Sequence, residues 1–316
     1  MKKVVVIGGG TGVFTVLTGL REYPDLKLSA IVSMADDGGS TGLLREEFGT
    51  LPPGDIRRAL IALSGSNKEV LSELFNYRFD KSSSLKGHTV GNILLTALEK
   101  ITGSFPDAIA EAVKILNVKG KVIPVTLSQT KLIAQLEDGS KIYGETNIDI
   151  PKHDGKKRIE KLSLNSRALA NPIAVKEIMS ADAVILGPGD LYTSIIPNLL
   201  VNGISEAIKK TKAKVIYNIN IMTKFGETNG FNGSDFIKII EEYLGKNIID
   251  YISINTQKPE GNIVKRYEKE NVEFVVDDLE NPKRPKIVRG DFLRHGMFLR
   301  HDPEKLSEKL YQIIND

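Results

Sequence analysis

Two adjacent aspartates, Asp36 and Asp37, follow an apolar run at residues 26–32. The residues after the pair are small or carry hydroxyl groups, and those that can bring backbone groups close to a ligand are Gly38, Gly39 and Ser40. Paired carboxylates at this position could accept a ribose hydroxyl, bind Mg²⁺ or act as a general base. A solvated turn in which an aspartate caps a helix is the structural alternative. Because adjacent carboxylates repel each other, we favour a functional role.

A second glycine cluster, residues 8–12, follows the β-branched run at residues 3–7. Glycines let backbone N–H groups approach an anion, and the N-terminus of the following helix favours negative charge. The dinucleotide-binding fingerprint GxGxxG is not matched, because Val13 stands where the last glycine would be. The residues predicted to bind a phosphate are Gly9, Gly10, Thr11 and Gly12. The alternative is a tight turn between strand and helix.

Two further polar segments precede predicted helices. In residues 52–58, Gly54 leads to Asp55, which fits a helix N-cap. Arg57 and its neighbour Arg58 lie in the first turn of the predicted helix, where a positive charge interacts unfavourably with the helix dipole. A nearby anion would explain their position.

In residues 86–92, His88 stands between glycines and is followed by Asn92. This histidine could act as an acid or base near neutral pH, or donate to a phosphate. No second ligand at zinc spacing accompanies it, which disfavours zinc.

Later strand ends add more polar residues. The candidates after the predicted strand at residues 183–186 are Gly187, Gly189, Asp190, Tyr192, Thr193 and Ser194. Asn220 and Thr223 follow the strand at residues 215–219. Arg300 belongs to one of two Arg-His pairs, with Arg294 and His295 forming the other, that would either clamp a diphosphate or form a solvated turn. Since parallel strands share one carboxyl edge, these side chains are predicted to converge on one crevice.

The elements that must position these residues alternate between strand and helix. This alternation predicts an α/β fold with a doubly wound, mostly parallel, Rossmann-like sheet. Asp138-Gly139 between two strand-like runs predicts a hairpin, so residues 120–165 are expected to form a small antiparallel insertion. We expect a single domain over residues 1–316.

Composition excludes several classes of protein. The 316 residues carry a net charge of +3 with no strong basic cluster, which disfavours nucleic-acid binding. The absence of cysteine excludes disulfides and thiolate chemistry. No run is long enough for a membrane span or a signal peptide, so a cytoplasmic protein is expected. A homo-oligomer is left open.

Five segments together resemble the CofD/YvcK family, and the resemblance extends over essentially the whole chain. They are GGGTG at 8–12, ADDGGSTG at 35–42, PPGDIRR at 52–58, GHTVGN at 87–92 and GPGDLYTSIIPNLLV at 187–201. The last segment has the form of the YvcK, or gluconeogenesis-factor, branch. Lys224 and Phe225 depart from the Gln-Pro pair that the resemblance leads us to expect at these positions.

The resemblance implies two functions. Members of the YvcK branch support cell shape and wall synthesis during gluconeogenic growth and bind nucleotide sugars such as UDP-N-acetylglucosamine. The other branch transfers a phospholactyl group from a guanosine diphosphate carrier to a deazaflavin alcohol with Mg²⁺, which the resemblance would place on Asp36 and Asp37. We favour a regulatory protein that binds a nucleotide sugar, and keep a Mg²⁺-dependent transferase as the alternative. A dinucleotide would also suit the predicted crevice.

Overall fold

A seven-stranded parallel sheet forms the centre of the protein in a computed structural model, which describes residues 1–65, 69–80, 82–259, 261–294, 296 and 298–316. The strands of this sheet are β1 (Lys2–Gly8), β2 (Leu26–Val32), β3 (Lys121–Pro124), β7 (Ala183–Leu186), β8 (Lys214–Asn218), β9 (Tyr251–Asn255) and β10 (Lys286–Gly290). The middle strands are apolar and buried on both faces, as in β1, where Val4 to Ile7 are at most 1% exposed. Helices on both faces of a parallel sheet require such continuous apolar strands. The predicted α/β fold is therefore confirmed.

The strand order is β10-β9-β8-β7-β1-β2-β3. β1 pairs with β2 on one side and with β7 on the other, so the direction of chain winding reverses between β1 and β7. In doubly wound sheets, the carboxyl ends of the strands beside such a reversal border a crevice.

Helices cover the sheet and connect its strands. The helices around this sheet are α1 (Gly10–Leu20), α2 (Gly39–Phe48), α3 (Pro53–Ala62), α4 (Glu69–Asn76), α5 (Val90–Thr102), α6 (Phe105–Leu116), α8 (Pro172–Met179), α9 (Ile196–Leu199), α10 (Ile204–Lys210), α11 (Gly233–Leu244), α12 (Gly261–Glu268) and α13 (Pro303–Asn315). Several begin at side-chain caps, as where Asp302 accepts the N–H groups of Glu304 and Lys305. In the part of the chain that the structure describes, no helix has the length and apolar character that crossing a membrane requires.

Helix α2 was not expected from the sequence, because its first residues are glycine and serine. Gly38 precedes it with an extended backbone, and Gly49 ends it in the left-handed region at φ 67°. The later residues, from Leu43 to Phe48, are mostly good helix formers and extend the helix. The glycine-rich stretch is therefore the start of a helix, and its N-terminus faces the crevice beside that of α1.

A separate three-stranded antiparallel sheet, in the order β5-β4-β6, lies between the two halves of the large sheet in the sequence. Its strands are β4 (Leu132–Leu136), β5 (Lys141–Tyr143) and β6 (Ile159–Leu164), and helix α7 (Glu145–Asp149) follows β5. The predicted hairpin at Asp138-Gly139 joins β4 to β5. β3 pairs in parallel with β2, so the antiparallel unit begins at Leu132 rather than near residue 120.

Candidate functional site: a cleft at the strand ends

The carboxyl ends of β1, β2, β7 and β8 border a cleft of about 930 Å³, which is large enough for a nucleotide-sized molecule. Helix α7, α12 and the segment before α13 contribute its other sides. The sequence-predicted residues that line this cleft are Gly9, Gly10, Thr11, Gly12, Asp36, Gly38, Gly39, Ser40, Gly54, Asp55, Arg57, Asn92, Gly189, Asp190, Thr193, Ser194, Asn220, Thr223 and Arg300. The structure thus brings together residues from seven separate sequence segments.

Four predicted residues are not among those lining the cleft. Asp37 accepts the backbone N–H of Thr146 at 2.9 Å and so holds the start of α7. The His88 ring contacts the hydroxyl of Ser40 at 3.1 Å, behind the cleft surface. Gly187 forms the turn after β7 with φ 66°. Tyr192 is buried and donates its backbone N–H to Glu227. His295 lies outside the described residues.

Glycines in the β1 loop allow close approach between neighbouring loops. A Cβ atom at Gly12 would lie 1.9 Å from the carbonyl oxygen of Pro188, in the loop after β7. A Cβ at Gly9 would lie 2.5 Å from a carboxylate oxygen of Asp55. Gly10, at φ 63°, donates its N–H to the same carboxylate at 3.0 Å. The glycines therefore permit both the turn and the packing of two strand-end loops against each other.

Asp36 is held at the cleft by hydrogen bonds from Gly38 and Arg45. Its carboxylate accepts the N–H of Gly38 at 2.9 Å, and its carbonyl oxygen accepts a 2.6 Å hydrogen bond from the buried guanidinium of Arg45. Burial, and then the charge of Asp55, raise the pKa of Asp36 to about 6. Burial also raises the pKa of Asp55. Asp55, rather than Asp37, is thus the carboxylate that acts electrostatically on Asp36.

Arg57 is fixed by neutral partners. The side chain is 4% exposed, and its Nε and Nη1 donate to the side-chain oxygens of Asn92 and Asn76 at 3.0 and 2.6 Å. Asn92 in turn donates to the hydroxyl of Ser40 at 3.1 Å. Burial, and then the charges of Arg58 and Arg78, lower the pKa of Arg57 to about 10, so it remains a cation at neutral pH.

Helix α7 of the small sheet brings two acids that we did not predict. Glu145 and Asp149 both line the cleft. Burial raises the pKa of Glu145 to about 9, with further contributions from Asp36, Asp149, Asp37 and Asp55 in that order. Glu145 is therefore protonated at neutral pH and can donate a hydrogen bond to a ligand.

A second group of acids lies at the other end of α7. In the described ranges, one set of three acids has ligand atoms that all lie within 4.8 Å of one another: Asp149, Asp190 and Glu227. The ammonium of Lys224 is 2.9 Å from Asp149 and 4.0 Å from Asp190. Glu227 accepts the N–H of Tyr192 at 3.1 Å and the hydroxyl of Thr193 at 3.0 Å. A lysine thus already supplies a positive charge to this group.

The side of the cleft next to β8 is more apolar. Tyr267 from α12, Val272 and Leu299 line it, and the Tyr267 hydroxyl accepts the N–H of Leu299 at 3.0 Å. Arg300 lies at its edge with its guanidinium 5.5 Å from the ring centre of Phe298. Burial lowers the pKa of His301 on this side to about 4, so the imidazole is neutral at pH 7.

The acids and the arginine that we did not predict from the sequence do not belong to any recognisable local motif. Glu145 and Asp149 occur in a polar segment of the insertion, and Arg78 occurs in a charged stretch that is typical of a solvated surface. Glu227 is separated from Asp190 by helices α9 and α10 and strand β8. Glu145 and Asp149 are four residues apart, a spacing that places two side chains on the same face of a helix. The neighbouring sequence does not indicate which other loop this face would contact.

The fold and the cleft define a class: Rossmann-like proteins with a polar crevice at the reversal of strand order. The chain belongs to the CofD family, since the family described as 2-phospho-L-lactate transferase CofD matches residues 4–293.

Named relatives cover nearly the whole chain. The gluconeogenesis factor of Listeria innocua is 40% identical over 99% of this chain and 95% of its own length. That of Bacillus subtilis is 38% identical over 99% of this chain and 98% of its own length. A crystal structure of a UPF0052 family member from Bacillus halodurans has a TM-score of 0.92 and 39% identity, and it covers 98% of this chain and 99% of that one. These relatives confirm the predicted resemblance to the gluconeogenesis-factor branch.

Proposed function

We propose that the cleft binds a nucleotide sugar of the UDP-N-acetylglucosamine kind, and that the protein is a regulator needed for cell shape and wall synthesis during gluconeogenic growth. The names of its relatives support a role in gluconeogenic growth. The ligand would be a small molecule that reports metabolic state, with no nucleic acid involved.

The observation that carries the proposal is the convergence of three glycine-containing strand-end loops on one cleft. The N-termini of α1 and α2 and the loop after β7 all reach it. Two helix N-termini beside glycines suit the phosphates of a nucleoside diphosphate. The apolar side with Tyr267 and Leu299 suits a base, and the acids along α7 suit sugar or ribose hydroxyls.

Calorimetric titration with UDP-N-acetylglucosamine tests the proposal. We expect saturable binding with a dissociation constant in the micromolar range or tighter. Gly12→Ala should abolish it, because the new methyl group would lie 1.9 Å from the Pro188 carbonyl oxygen and force the β1 and β7 loops apart. Gly261→Ala is the matched control, since no atom lies within 4 Å of its added Cβ. No heat with any UDP-sugar, NAD or GDP compound would contradict the proposal.

A second candidate function is a Mg²⁺-dependent transferase, which the CofD family description favours. Asp36 lines the cleft beside Asp55, and carboxylate oxygens are the ligands that Mg²⁺ prefers, so the residues fit such an ion. Bound Mg²⁺ would neutralise the charge of a leaving diphosphate. The chain's own contribution would be Gly10 and Arg58, which hold Asp55, and Gly38, which holds Asp36.

Mass spectrometry after incubation with nucleotide donors and Mg²⁺ separates the two functions. If a transferred group is found, Asp36→Asn should remove turnover. Asp37→Asn should retain it, because that carboxylate holds α7 and does not line the cleft. The absence of any product with binding intact supports the regulatory function.

A further inference from the structure

Ser40, in the first turn of α2, contacts a histidine at the surface of the cleft. Its hydroxyl oxygen lies 3.1 Å from Nδ1 of His88. Ser40 lines the cleft, and His88 lies behind it. A serine hydroxyl within hydrogen-bond reach of an imidazole nitrogen is the arrangement that produces an oxygen nucleophile, because the imidazole can accept the hydroxyl proton.

The directions of the neighbouring hydrogen bonds leave the hydroxyl proton of Ser40 available to His88. A guanidinium has only donors, so the Nε of Arg57, at 3.0 Å, fixes Oδ1 of Asn92 as an acceptor. The amide nitrogen of Asn92 is then the group that donates to the hydroxyl oxygen of Ser40, at 3.1 Å. The serine therefore accepts from Asn92 and can donate to Nδ1 of His88 when that nitrogen carries no proton.

Two further features favour negative charge on the oxygen of Ser40. The buried cation of Arg57 polarises the amide group of Asn92, which strengthens the hydrogen bond from this amide to the serine. Ser40 also lies at the N-terminus of α2, a helix of 10 residues, where the helix dipole favours negative charge. Both effects lower the energy of a serine oxygen that has given up its proton.

The backbone holds His88 in position. Its N–H donates to the carbonyl oxygen of Leu85 at 3.0 Å, and its carbonyl oxygen accepts the N–H of Phe79 at 3.0 Å. The next residue, Thr89, caps α5 by accepting the N–H of Asn92 at 3.3 Å. The imidazole and the amide that contact the same serine are therefore positioned by one continuous segment.

The serine lies beside the glycine loop that we assign to the phosphates. Gly10 in that loop donates its N–H to Asp55 at 3.0 Å. A Cβ on Gly54, the residue before Asp55, would lie 2.7 Å from the hydroxyl of Thr41, the residue after Ser40. The start of α3 thus connects the N-termini of α1 and α2, and a diphosphate bound between these two helices would lie next to the serine hydroxyl.

We propose that Ser40 attacks the diphosphate of the bound nucleotide sugar with His88 as its general base, so that part of the ligand becomes attached to this serine as a phosphodiester. The serine oxygen forms a bond to one phosphorus atom, and the bond between that phosphorus and the bridging oxygen breaks. The hydroxyl proton passes to Nδ1 of His88, and the other phosphate leaves with the electron pair of the broken bond. The inference rests on the proposed nucleotide-sugar binding and adds a reaction to it.

Intact-protein mass spectrometry after incubation with UDP-N-acetylglucosamine and Mg²⁺ tests the inference. We expect an adduct with the mass of a uridylyl group or of an N-acetylglucosaminyl phosphate group, and peptide mapping should place it on Ser40. Either mass supports the inference and identifies the phosphorus that is attacked. Ser40→Ala should form no adduct although calorimetry still detects binding. His88→Gln should slow adduct formation about 100-fold or more, the size expected for the loss of a general base.

Ser84→Ala is the control, because it changes an exposed serine outside the cleft and should react like the wild type. Binding of UDP-N-acetylglucosamine without an adduct would overturn the inference and leave the proposed function standing. An adduct on Ser194, which also lines the cleft, would overturn it as well. So would an adduct that forms in His88→Gln at the wild-type rate. The absence of both binding and adduct would remove the proposed function too.

Discussion

Glu145 at one end of α7 and Asp149 at the other belong to acidic groups that the protein neutralises in different ways. Near β2, burial raises the pKa of Glu145 to about 9 and that of Asp36 to about 6, so proton uptake lowers the negative charge. Near β8, the ammonium of Lys224 lies 2.9 Å from Asp149. The carboxyl groups of Glu145 and Asp36 can gain or lose a proton when a charged ligand binds. Asp149, in contrast, already forms an ion pair with Lys224 inside the protein.

The two ends of α7 therefore have different roles in the cleft. The Lys224–Asp149 pair joins the small antiparallel unit to the loop after β8, and Asn229 adds a hydrogen bond from that loop to the carbonyl oxygen of Gly155. We interpret this end as the structural connection between the two sheets. The Glu145 end, beside Asp36 and the glycine loops, is available for ligand chemistry.

The largest expected effect on stability comes from removing the ammonium group of Lys224. Lys224→Ala should lower the free energy of unfolding by about 2–3 kcal/mol, because it leaves partly buried carboxylates without their partner. Burial lowers the pKa of Lys224, but Asp190 and Asp149 outweigh it and raise this pKa above its ordinary 10.5, so the ammonium stabilises the fold throughout the neutral range. Urea unfolding measures the loss.

The loss in Lys224→Ala should be greater at pH 8 than at pH 5, since acids left without a cation can take up protons at lower pH. Lys157→Ala is the control, because its ion pair with Asp138 lies on an exposed hairpin and should leave the unfolding midpoint nearly unchanged. Equal midpoints for the two variants would mean that the β8 end has no special structural role.

A gain in stability is expected when Glu145, at the start of α7, is replaced. In the folded state the pKa of Glu145 is raised from 4.5 to about 9, so as the pH rises from 4.5 the unfolded chain releases this proton first and becomes favoured. Glu145→Gln removes that pH-dependent cost and should raise the free energy of unfolding at pH 7 by about 2 kcal/mol. Unfolding curves between pH 4.5 and 9 give the slope for each protein.

Glu46→Gln, at an exposed position of α2, serves as the control and should retain the wild-type slope. Parallel stability curves for Glu145→Gln and the wild type would show that Glu145 is ionised in the fold. The acids at the two ends of α7 would then not be neutralised in different ways.

The smallest effect concerns the hydrogen bond that anchors the start of α7. Asp37→Ala should lower the free energy of unfolding by about 1 kcal/mol, since it removes the acceptor of the Thr146 N–H. Asp37→Asn keeps an oxygen at that position and should cost less. Thermal unfolding ranks the two variants, and an asparagine as damaging as alanine would point to a role for the Asp37 charge itself.

The large sheet was predictable because its signals are local. Continuous apolar runs such as residues 4–7 and 183–186 are typical of buried parallel strands, and glycine-rich turns after them mark the carboxyl edge. The residues that follow these strands line the cleft because parallel strands end at a common edge. The start of α2 escaped prediction, because glycine and serine are weak helix formers and the helix is extended by later residues.

The sequence alone determined the strand-helix alternation, the glycine loops and the polar strand ends, since each depends on neighbouring residues. The tertiary structure alone decided that α7 would bring Glu145 to Asp36 and Asp149 to Lys224. It also separated Asp36 from Asp37, turning one towards the cleft and the other towards Thr146. Burial and the charges of distant segments set the pKa values of these acids, and both depend on how the two sheets pack together.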